Sequence, residues 1–396
     1  MTLPPELRTS APGSFAMRTI VERKPRIIAQ VLETNELCAE QRRRVDALRR
    51  EIADGVVTSP LEGDLVPDGE LVEEERRSWQ RQIARWEGRG WLDVPWFFAE
   101  AFFYLKILAA VGYFRGEAPD PFRGLKEREL RGAHGGLDRA ASLIRAVAAA
   151  PAEGVALLMG ASLWGNRIDL SNSAVDDGSR AGMLADDRAN LLVDHGDAAV
   201  AALGRASRVE VILDNVGPEL VADLLLADQV GRLNSSARVT LHAKRLPFFV
   251  SDSTAEDVLR TVDALAGAAD PAVSAVGRRL RDAIAAGRIR VRDHWLWSSA
   301  EHYTDLPPDL RGELDGADLV VVKGDANYRR ILADRSWEPW RSLDDLAGSF
   351  PRPFLCLRTL KSDIIVDVLR AEALRLDRDE PDWRVSGRRG IVRLCS

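Results

Sequence analysis

The 396-residue sequence has little cysteine, with Cys38, Cys356 and Cys395 as its three thiols. Three scattered cysteines cannot form a disulfide framework, and none stands in a C-x-x-C spacing, so we expect a reducing compartment. The five histidines lack the spacing of metal ligands, which argues against a zinc site.

Long apolar runs are also missing. The first thirty residues contain charges throughout and no apolar core, so we expect no signal peptide. The most apolar long stretch, residues 146–164, is interrupted by Pro151, Glu153 and Gly154 and does not fit a membrane span. The sequence therefore predicts a cytoplasmic protein with no membrane partner.

Neither sign of charge dominates, since 55 basic residues stand against 61 acidic ones, for a net charge of −6. This balance argues against a nucleic acid or an anionic membrane as the main partner. An apolar fraction of 46% provides for a sizeable core, and the length suits two domains or one large one. The oligomeric state stays open.

The pattern of apolar residues changes near residue 155. Residues 1–14 are rich in Pro, Ser and Thr, which predicts a loose N-terminus. Residues 15–154 show apolar positions at helical spacing and no strand alternation, which predicts an N-terminal all-helical domain. Its clearest helical stretches are residues 27–55, 95–114 and 138–150.

From residue 155 to residue 396, short apolar runs alternate with helical segments. This alternation predicts an α/β domain with a mainly parallel central sheet between helices, a three-layer arrangement similar to a Rossmann fold. Ligands bind such sheets beyond the carboxyl ends of the strands. The predicted strands are 209–213, 238–242, 289–291, 319–322, 354–357 and 391–394, and the predicted helices are 219–230, 255–266, 273–285 and 360–374.

Polar side chains follow four of the predicted strands. Asp214 and Asn215 follow the first, Asp252 comes after the second, and basic segments beginning at Lys323 and Arg358 follow two others. Oxygen ligands beside Lys and Arg suit a hard divalent metal together with a phosphate, because Mg²⁺ takes few carboxylates and fills its shell with phosphate oxygens and water. Lys and Arg neutralise the remaining phosphate charge.

Each of these residues also has a simpler interpretation. Asp214 and Asn215 are ordinary turn or cap residues after a strand, and Asp252 is a common helix cap. Lys323 and Lys361 taken singly are typical solvated surface charges. The metal-site hypothesis depends on the convergence of four strand ends at one edge of the sheet.

Six longer segments match the motifs of one protein family in the same order. They are FAMRTIVERKPRII (15–28), PWFFAEAFFY (95–104), SLWGNRIDLS (162–171), DNVGPEL (214–220), KGDANYR (323–329) and RTLK (358–361). Together they resemble the DUF89 family of metal-dependent damage-control phosphatases. The RTxK motif is similar to that of a subfamily also described as acidic-residue methyltransferases. Val216, Pro218 and Ala326 depart from the family motifs, which leaves the exact substrate open.

The resemblance implies roles for particular residues. It implies a divalent metal (Mg²⁺, Mn²⁺, Co²⁺ or Ni²⁺) on Asp214, Asn215 and Asp252. Glu219 matches a position that binds S-adenosylmethionine in relatives, or it is a first-turn carboxylate facing the helix dipole. The residues predicted to bind a sugar phosphate are Asp325, Asn327, Tyr328, Arg329, Arg358, Lys361 and Lys323.

Two further residues are weaker candidates. Asn166 lies in the SLWGN segment, where it would line the pocket or pack between the helical and α/β parts. Glu100 lies on an apolar helix, where a carboxylate is costly unless it is paired. We expect Glu100 either to face the site or to form a salt bridge between the domains.

These features predict a metal-dependent phosphomonoester hydrolase for a small phosphorylated metabolite, and the resemblance implies a sugar phosphate such as fructose 1-phosphate or fructose 6-phosphate. Asp214, Asp252 and Lys361 are the predicted catalytic residues. The metal would position the attacking water, or an aspartate would attack directly, while Lys361 offsets phosphate charge with Arg329 or Lys323. One alternative is a carboxyl (glutamate) methyltransferase that uses S-adenosylmethionine, although no Gly-rich loop follows an early strand. A second alternative is a non-catalytic sugar-phosphate-binding protein.

Overall fold

Seven strands form one sheet in the computed structural model of the chain, which describes residues 3–61, 65–165, 188–348 and 350–396. Their order across the sheet is β1-β7-β6-β5-β2-β3-β4, with β6 and β7 antiparallel and every other neighbouring pair parallel. The strands are β1 Leu191–Asp194, β2 Arg208–Ile212, β3 Arg238–Lys244, β4 Ile289–His294, β5 Leu319–Lys323, β6 Phe354–Thr359 and β7 Gly390–Cys395.

The helices of the described residues divide at β1. Those before it are α1 Phe15–Arg18, a π-helical turn Thr19–Arg23, α2 Lys24–Thr34, α3 Ala39–Asp54, α4 Glu73–Trp86, α5 Trp96–Val111, α6 Arg123–Arg131, α7 Gly136–Ala149 and α8 Gly154–Trp164. Those after it are α9 Gly196–Arg205, α10 Pro218–Leu233, α11 Ala255–Ala266, α12 Pro271–Ala285, α13 Pro308–Asp315, α14 Gly324–Ile331, α15 Leu343–Leu346 and α16 Arg370–Asp379.

The sheet is buried on both faces, which confirms the predicted α/β arrangement. Val321 on β5 belongs to the apolar cluster that includes α7, α8 and α10 to α12. Its neighbours Val320 and Val322 point the other way, into a cluster with α13 to α16. Because successive side chains alternate across a strand, a strand covered on both sides needs a continuous apolar run.

The helices before residue 115 enclose their own apolar cluster, as the N-terminal helical pattern predicted. Helix α5 is buried along nearly its whole length. Phe248, from the loop after β3, lies 5.8 Å from the ring of Tyr104 and 6.4 Å from that of Trp79. This loop therefore joins the helical layer to the carboxyl edge of the sheet.

The domain boundary near residue 155 stays a prediction. Helix α7 precedes that boundary, yet Ala140 and Leu143 belong to the apolar cluster of the sheet and not to that of the N-terminal helices. No single helix among the described residues is long and apolar enough to span a membrane. One pair bent by 117°, Arg123–Ala149 and Pro151–Trp164, reaches that length and composition only when taken together.

Two predicted helices differ from the structure. The stretch 27–55 is two helices, because the Asn35 side chain donates to the Val31 carbonyl and ends α2. The helix predicted at 360–374 is wrong: residues 360–369 are irregular, and α16 begins at Arg370. Tertiary partners satisfy that backbone instead, since the Ile364 carbonyl accepts from Arg358 and the Val366 N–H donates to a tyrosine hydroxyl. Strand β1 was not predicted.

Candidate active site

The three predicted metal ligands lie side by side beyond β2 and β3. The Ser253 N–H donates to the Asp214 carbonyl oxygen at 2.8 Å, and Asn215 forms an antiparallel bridge with Asp252. The Ser251 hydroxyl donates to the Asn215 side-chain oxygen at 2.6 Å. Backbone pairing between the two loops thus holds these three residues next to one another.

The electrostatics of this group favour a bound cation. Loss of solvation raises the pKa of Asp214 well above its usual range, and the Asp252 and Glu219 carboxylates raise it further. Burial also raises the pKa of Asp252, although Lys244, 3.2 Å from its Oδ2, lowers it. Carboxylates this close ionise together only at a cost unless a positive charge lies between them. Carboxylate and amide oxygens are also the donors that Mg²⁺ and similar hard cations prefer, so these residues fit a divalent metal.

Two adjoining cavities open onto this group. The smaller one, of about 210 Å³, is lined by Asp214, Asn215, Asp252, Asp325 and Lys361 from the sheet edge. The helical layer supplies its other side with Phe15, Arg23, Trp96, Phe97 and Glu100. The larger cavity, of about 450 Å³, shares Asn215, Ser251, Thr359 and Lys361 and extends along Glu129, Trp164, Gly165, Glu219 and Gly387.

The segment Asp325–Arg329 divides between the cavity and the interior. Asp325 lines the smaller cavity, and its Oδ1 lies 2.6 Å from Nη2 of Arg358 and accepts from Ser362 at 2.8 Å. Although burial acts in the opposite direction, Arg358 and Arg329 hold the pKa of Asp325 below its usual value. Asp325 is therefore an ionised acceptor at the cavity wall.

The three other residues of this segment that were predicted to bind substrate are buried among protein groups. The Asn327 amide donates to the carbonyls of Leu213 and Lys323, tying α14 to two strand ends. The Tyr328 ring lies 4.3 Å below the Arg358 guanidinium. The Arg329 guanidinium is 3.9 Å from the Trp96 ring. In this structure these side chains support the cavity walls, and their predicted contact with substrate stays a prediction.

Lys323 is also directed inward. Its Nζ donates to Glu219 at 2.7 Å and to Asp223 at 3.1 Å. Although burial lowers the pKa of Lys323, these two carboxylates raise it above the usual value. Glu219 in turn accepts from the Asn215 amide at 3.0 Å. Lys323 is thus linked to Asn215 through one intervening side chain, that of Glu219, while Lys361 is exposed in both cavities.

Glu100 faces the cavity and also forms a salt bridge. It lines the smaller cavity, and its Oε2 lies 2.5 Å from Nζ of Lys24. Both partners belong to the helical layer, so the salt bridge does not join two domains. Asn166, the remaining candidate, lies outside the described residues.

Sequence reasoning did not single out Arg23, Lys244 and Ser251. Arg23 is the arginine of the FA-x-x-T-x-x-x-R-x-P segment, and its place in that motif was the available signal for it. Lys244 and Ser251 have no such signal, because only the folded loop after β3 brings them to Asp252 and Asn215.

A second group of side chains could also hold a metal. Ligand atoms of Glu210, His242 and Glu313 lie within 4.8 Å of one another. Arg292 and Arg290 already pair with Glu313, and His242 Nε2 lies 2.9 Å from Glu210. The charges of Glu210 and Glu313 are therefore largely neutralised within the protein.

Comparison with known proteins agrees with this geometry. The model of the damage-control phosphatase ARMT1-like domain matches residues 19–375. Relatives named damage-control phosphatase ARMT1 include one from Danio rerio, 29% identical over 100% of this chain and 98% of the relative. One from Mus musculus is 29% identical over 96% of both chains, and one from Homo sapiens is 28% identical over 98% of both.

A solved structure has the same fold. The crystal structure of a DUF89 family protein from Pyrococcus horikoshii aligns with a TM-score of 0.50 and 14% identity, over 91% of this chain and 93% of that one. Sequence motifs, fold and family match all agree. The chain belongs to the family of damage-control phosphatases with an ARMT1-like domain and is a metal-dependent phosphatase.

Proposed function

We propose that this phosphatase hydrolyses a small sugar phosphate, with its divalent metal held by Asp214, Asn215 and Asp252. The observation that supports it most is the pairing of the two loops after β2 and β3, which places these oxygen donors at one side of a cavity. At about 210 Å³ that cavity is smaller than the roughly 300–1,000 Å³ of pockets for drug-sized ligands. It therefore suits a single small metabolite.

Different residues around the cavity bind different parts of the substrate. A metal bound there supplies positive charge to the phosphate oxygens and lowers the pKa of a bound water. Lys361, which follows the carboxyl end of β6 at the same edge of the sheet, adds a second positive charge to the phosphate oxygens. Asp325, ionised and fixed by Arg358, accepts hydrogen bonds from sugar hydroxyls. The ring of Phe97 offers an apolar wall to the carbon face of the sugar.

Two routes of attack are compatible with these residues. In the first, a water attacks phosphorus as the alkoxide leaves; Asp214 or Asp252 accepts a proton of that water, and the alkoxide takes a proton from solvent water. In the second, one of these carboxylates attacks phosphorus, the alkoxide leaves with a proton from water, and a second water hydrolyses the acyl phosphate. Rapid quenching of a turnover reaction distinguishes them, because only the second route leaves an acid-stable phosphorylated aspartate.

The test of the substrate class is a screen of phosphorylated metabolites with Mg²⁺, Mn²⁺, Co²⁺ or Ni²⁺ and with EDTA. We expect hexose and pentose phosphates to release phosphate in the presence of a metal and not in EDTA. Preferred hydrolysis of nucleotides or phosphopeptides would overturn the proposed substrate. Metal-independent methyl transfer from S-adenosylmethionine, or sugar-phosphate binding without turnover, would instead support one of the two alternatives.

A further inference from the structure

Arg23 reaches the active-site cavity from the helical layer. It lines the smaller cavity with Asp214, Asp252 and Lys361, and its side chain is 50% exposed. Within the described part of the chain its one ion pair is long, with 3.9 Å between Nη1 and Oε1 of Glu100. The guanidinium therefore keeps most of its hydrogen-bonding capacity, which comprises five N–H donors.

The carboxylates around Arg23 have closer cationic partners. Glu100 pairs with Lys24 at 2.5 Å. Asp252 pairs with Lys244 at 3.2 Å, and Asp325 pairs with Arg358 at 2.6 Å. Each of these three cations is almost fully buried, whereas Arg23 is half exposed. Arg23 is thus not needed to neutralise these acids.

Lys361 is the other cation that lines this cavity. It is exposed, and within the described residues no carboxylate lies in ion-pair range of it. The two cations come from different parts of the fold, Lys361 from the end of β6 and Arg23 from the helical layer. A phosphate monoester dianion bound to a metal at Asp214 and Asp252 would need such positive charge near its remaining oxygens.

The backbone at Arg23 has an unusual geometry with a local cause. Residues Thr19–Arg23 form a π-helical turn, closed by the Lys24 N–H donating to the Thr19 carbonyl. Pro25 follows directly and has no N–H, so it cannot continue the regular α-helical hydrogen bonds through this turn. Such π turns are rare and often occur at functional sites. This one ends at the residue that faces the cavity.

The cavity wall beside Arg23 is fixed by packing. The Trp96 ring lies 3.9 Å from the Arg329 guanidinium, and the Phe15 ring lies 5.7 Å from that of Trp96. Lys24, the residue after Arg23, is fully buried over the rings of Phe103 and Tyr104, at 4.5 and 4.6 Å. The helix that follows Arg23 is therefore anchored, and its position does not depend on a ligand.

We propose that Arg23 binds the phosphate of the substrate, opposite Lys361, so that the N-terminal helical layer completes the active site. This inference rests on the proposed location of the phosphate at Asp214 and Asp252. It does not depend on the sugar, because every phosphomonoester presents the same dianion and releases the same inorganic phosphate.

Titration calorimetry of the Mn²⁺-loaded protein with inorganic phosphate tests this directly. Charged hydrogen bonds are strong enough that we expect Arg23→Ala to weaken phosphate binding roughly 10- to 100-fold, while Mn²⁺ affinity stays unchanged. Arg23→Lys should recover only part of this loss, because an ammonium cannot form the two parallel bonds of a guanidinium. Millimolar guanidinium should partly restore kcat/KM of Arg23→Ala and leave wild type unaffected.

Arg26→Ala provides the matched control. Arg26 lies in α2, three residues after Arg23, is 80% exposed and pairs with Glu22 at 3.9 Å, so its removal should leave phosphate affinity at the wild-type value. Equal phosphate affinities for Arg23→Ala and Arg26→Ala would overturn the inference. A wild-type protein that hydrolyses phosphomonoesters other than sugar phosphates would overturn the proposed substrate and still leave the role of Arg23 measurable.

Discussion

The backbone of Gly324 lies directly against the carboxylate of Asp214: a Cβ atom at position 324 would approach Asp214 Oδ2 to 2.0 Å. Gly324 also has a φ of +80°, a left-handed conformation that other residues adopt at a cost. It joins β5 to α14 with no intervening loop. The start of α14 thus forms part of the wall that holds Asp214 in place.

Gly324→Ala should therefore displace Asp214 as well as strain the turn. We expect a loss of phosphatase activity of at least about 10-fold, since small displacements of reacting groups have large effects on rate. We also expect a loss of roughly 1–2 kcal/mol in the free energy of unfolding. Gly312→Ala is the control, because Gly312 lies in α13 with no atom within 4 Å of an added Cβ, and alanine there should stabilise the helix. Equal activities of the two variants would contradict the role given to Gly324.

Asp214→Asn should abolish metal binding without lowering the stability of the metal-free fold. In the metal-free protein Asp214 is close to the carboxylates of Asp252 and Glu219, so a neutral amide relieves repulsion. We expect a melting temperature in EDTA equal to or above that of wild type, together with loss of the rise that wild type shows with Mn²⁺. Phosphatase activity should fall to background. Asp263→Asn, at a 66% exposed surface position, should keep the wild-type response to metal.

Lys361→Ala should lower kcat/KM by roughly 10²-fold, which corresponds to about 2.7 kcal/mol in transition-state stabilisation. Metal affinity should stay unchanged, because Lys361 supplies charge to the phosphate and no ligand to the metal. Stability should also stay within about 0.5 kcal/mol of wild type, since the side chain is exposed. Arg378→Ala, which removes a 73% exposed cation on α16, is the comparison. Wild-type kinetics in Lys361→Ala would show that this lysine is only a solvated surface charge.

Glu75 should make the stability of the protein depend on pH. Burial raises the pKa of Glu75 from its ordinary 4.5 to about 7, against the opposing effect of Arg245. Its Oε1 is buried without a hydrogen-bond partner in the described residues, while Oε2 accepts from Arg245 at 3.2 Å. Between pH 4.5 and 7 the folded state thus holds a proton that the unfolded chain has lost. The contribution of Glu75 to stability is full below pH 4.5 and is lost as the pH rises through 7.

Glu75→Gln should remove this dependence. The difference in the free energy of unfolding between Glu75→Gln and wild type should therefore depend on pH. Between pH 4 and pH 8 it should shift in favour of the variant by on the order of 3 kcal/mol at most, since each pKa unit corresponds to about 1.36 kcal/mol. Urea unfolding at several pH values measures the difference. Glu73→Gln on the same helix replaces a 63% exposed side chain and should give parallel curves. A pH-independent difference between Glu75→Gln and wild type would contradict the assignment.

Much of the fold followed from local patterns. The strand Leu319–Lys323 and the helix Ala255–Ala266 match their predicted ranges closely, because each has a clear apolar pattern and a defined end. The capping box of Thr254 and Asp257, for example, fixes the start of that helix within four residues. The group Asp214, Asn215 and Asp252 was also predictable, since parallel strands place their carboxyl ends at one edge.

Other features depended on contacts between distant residues. Residues 360–374 were predicted as a helix, but the Arg358 side chain and the Tyr328 hydroxyl bind the backbone at Ile364 and Val366 instead. Arg329 belongs to a motif associated with substrate binding, yet here it packs on Trp96, more than 200 positions away in the chain. Sequence spacing states which residues share a strand end or a helix face. It does not state which of their polar groups the protein itself will satisfy, because that depends on partners brought together only by folding.

The same distinction applies to the active site as a whole. The sequence by itself determined six of the seven strands and which of them are followed by polar side chains, because these follow from short apolar runs between helical patterns and from short motifs. The tertiary structure alone decided that Lys323 pairs inward with Glu219 while Lys361 stays exposed in the cavities. It also decided that Arg23, from the helical layer, lines the same cavity as Lys361. The reason is physical: a lysine or arginine binds the nearest unneutralised charge, and folding determines which charge that is.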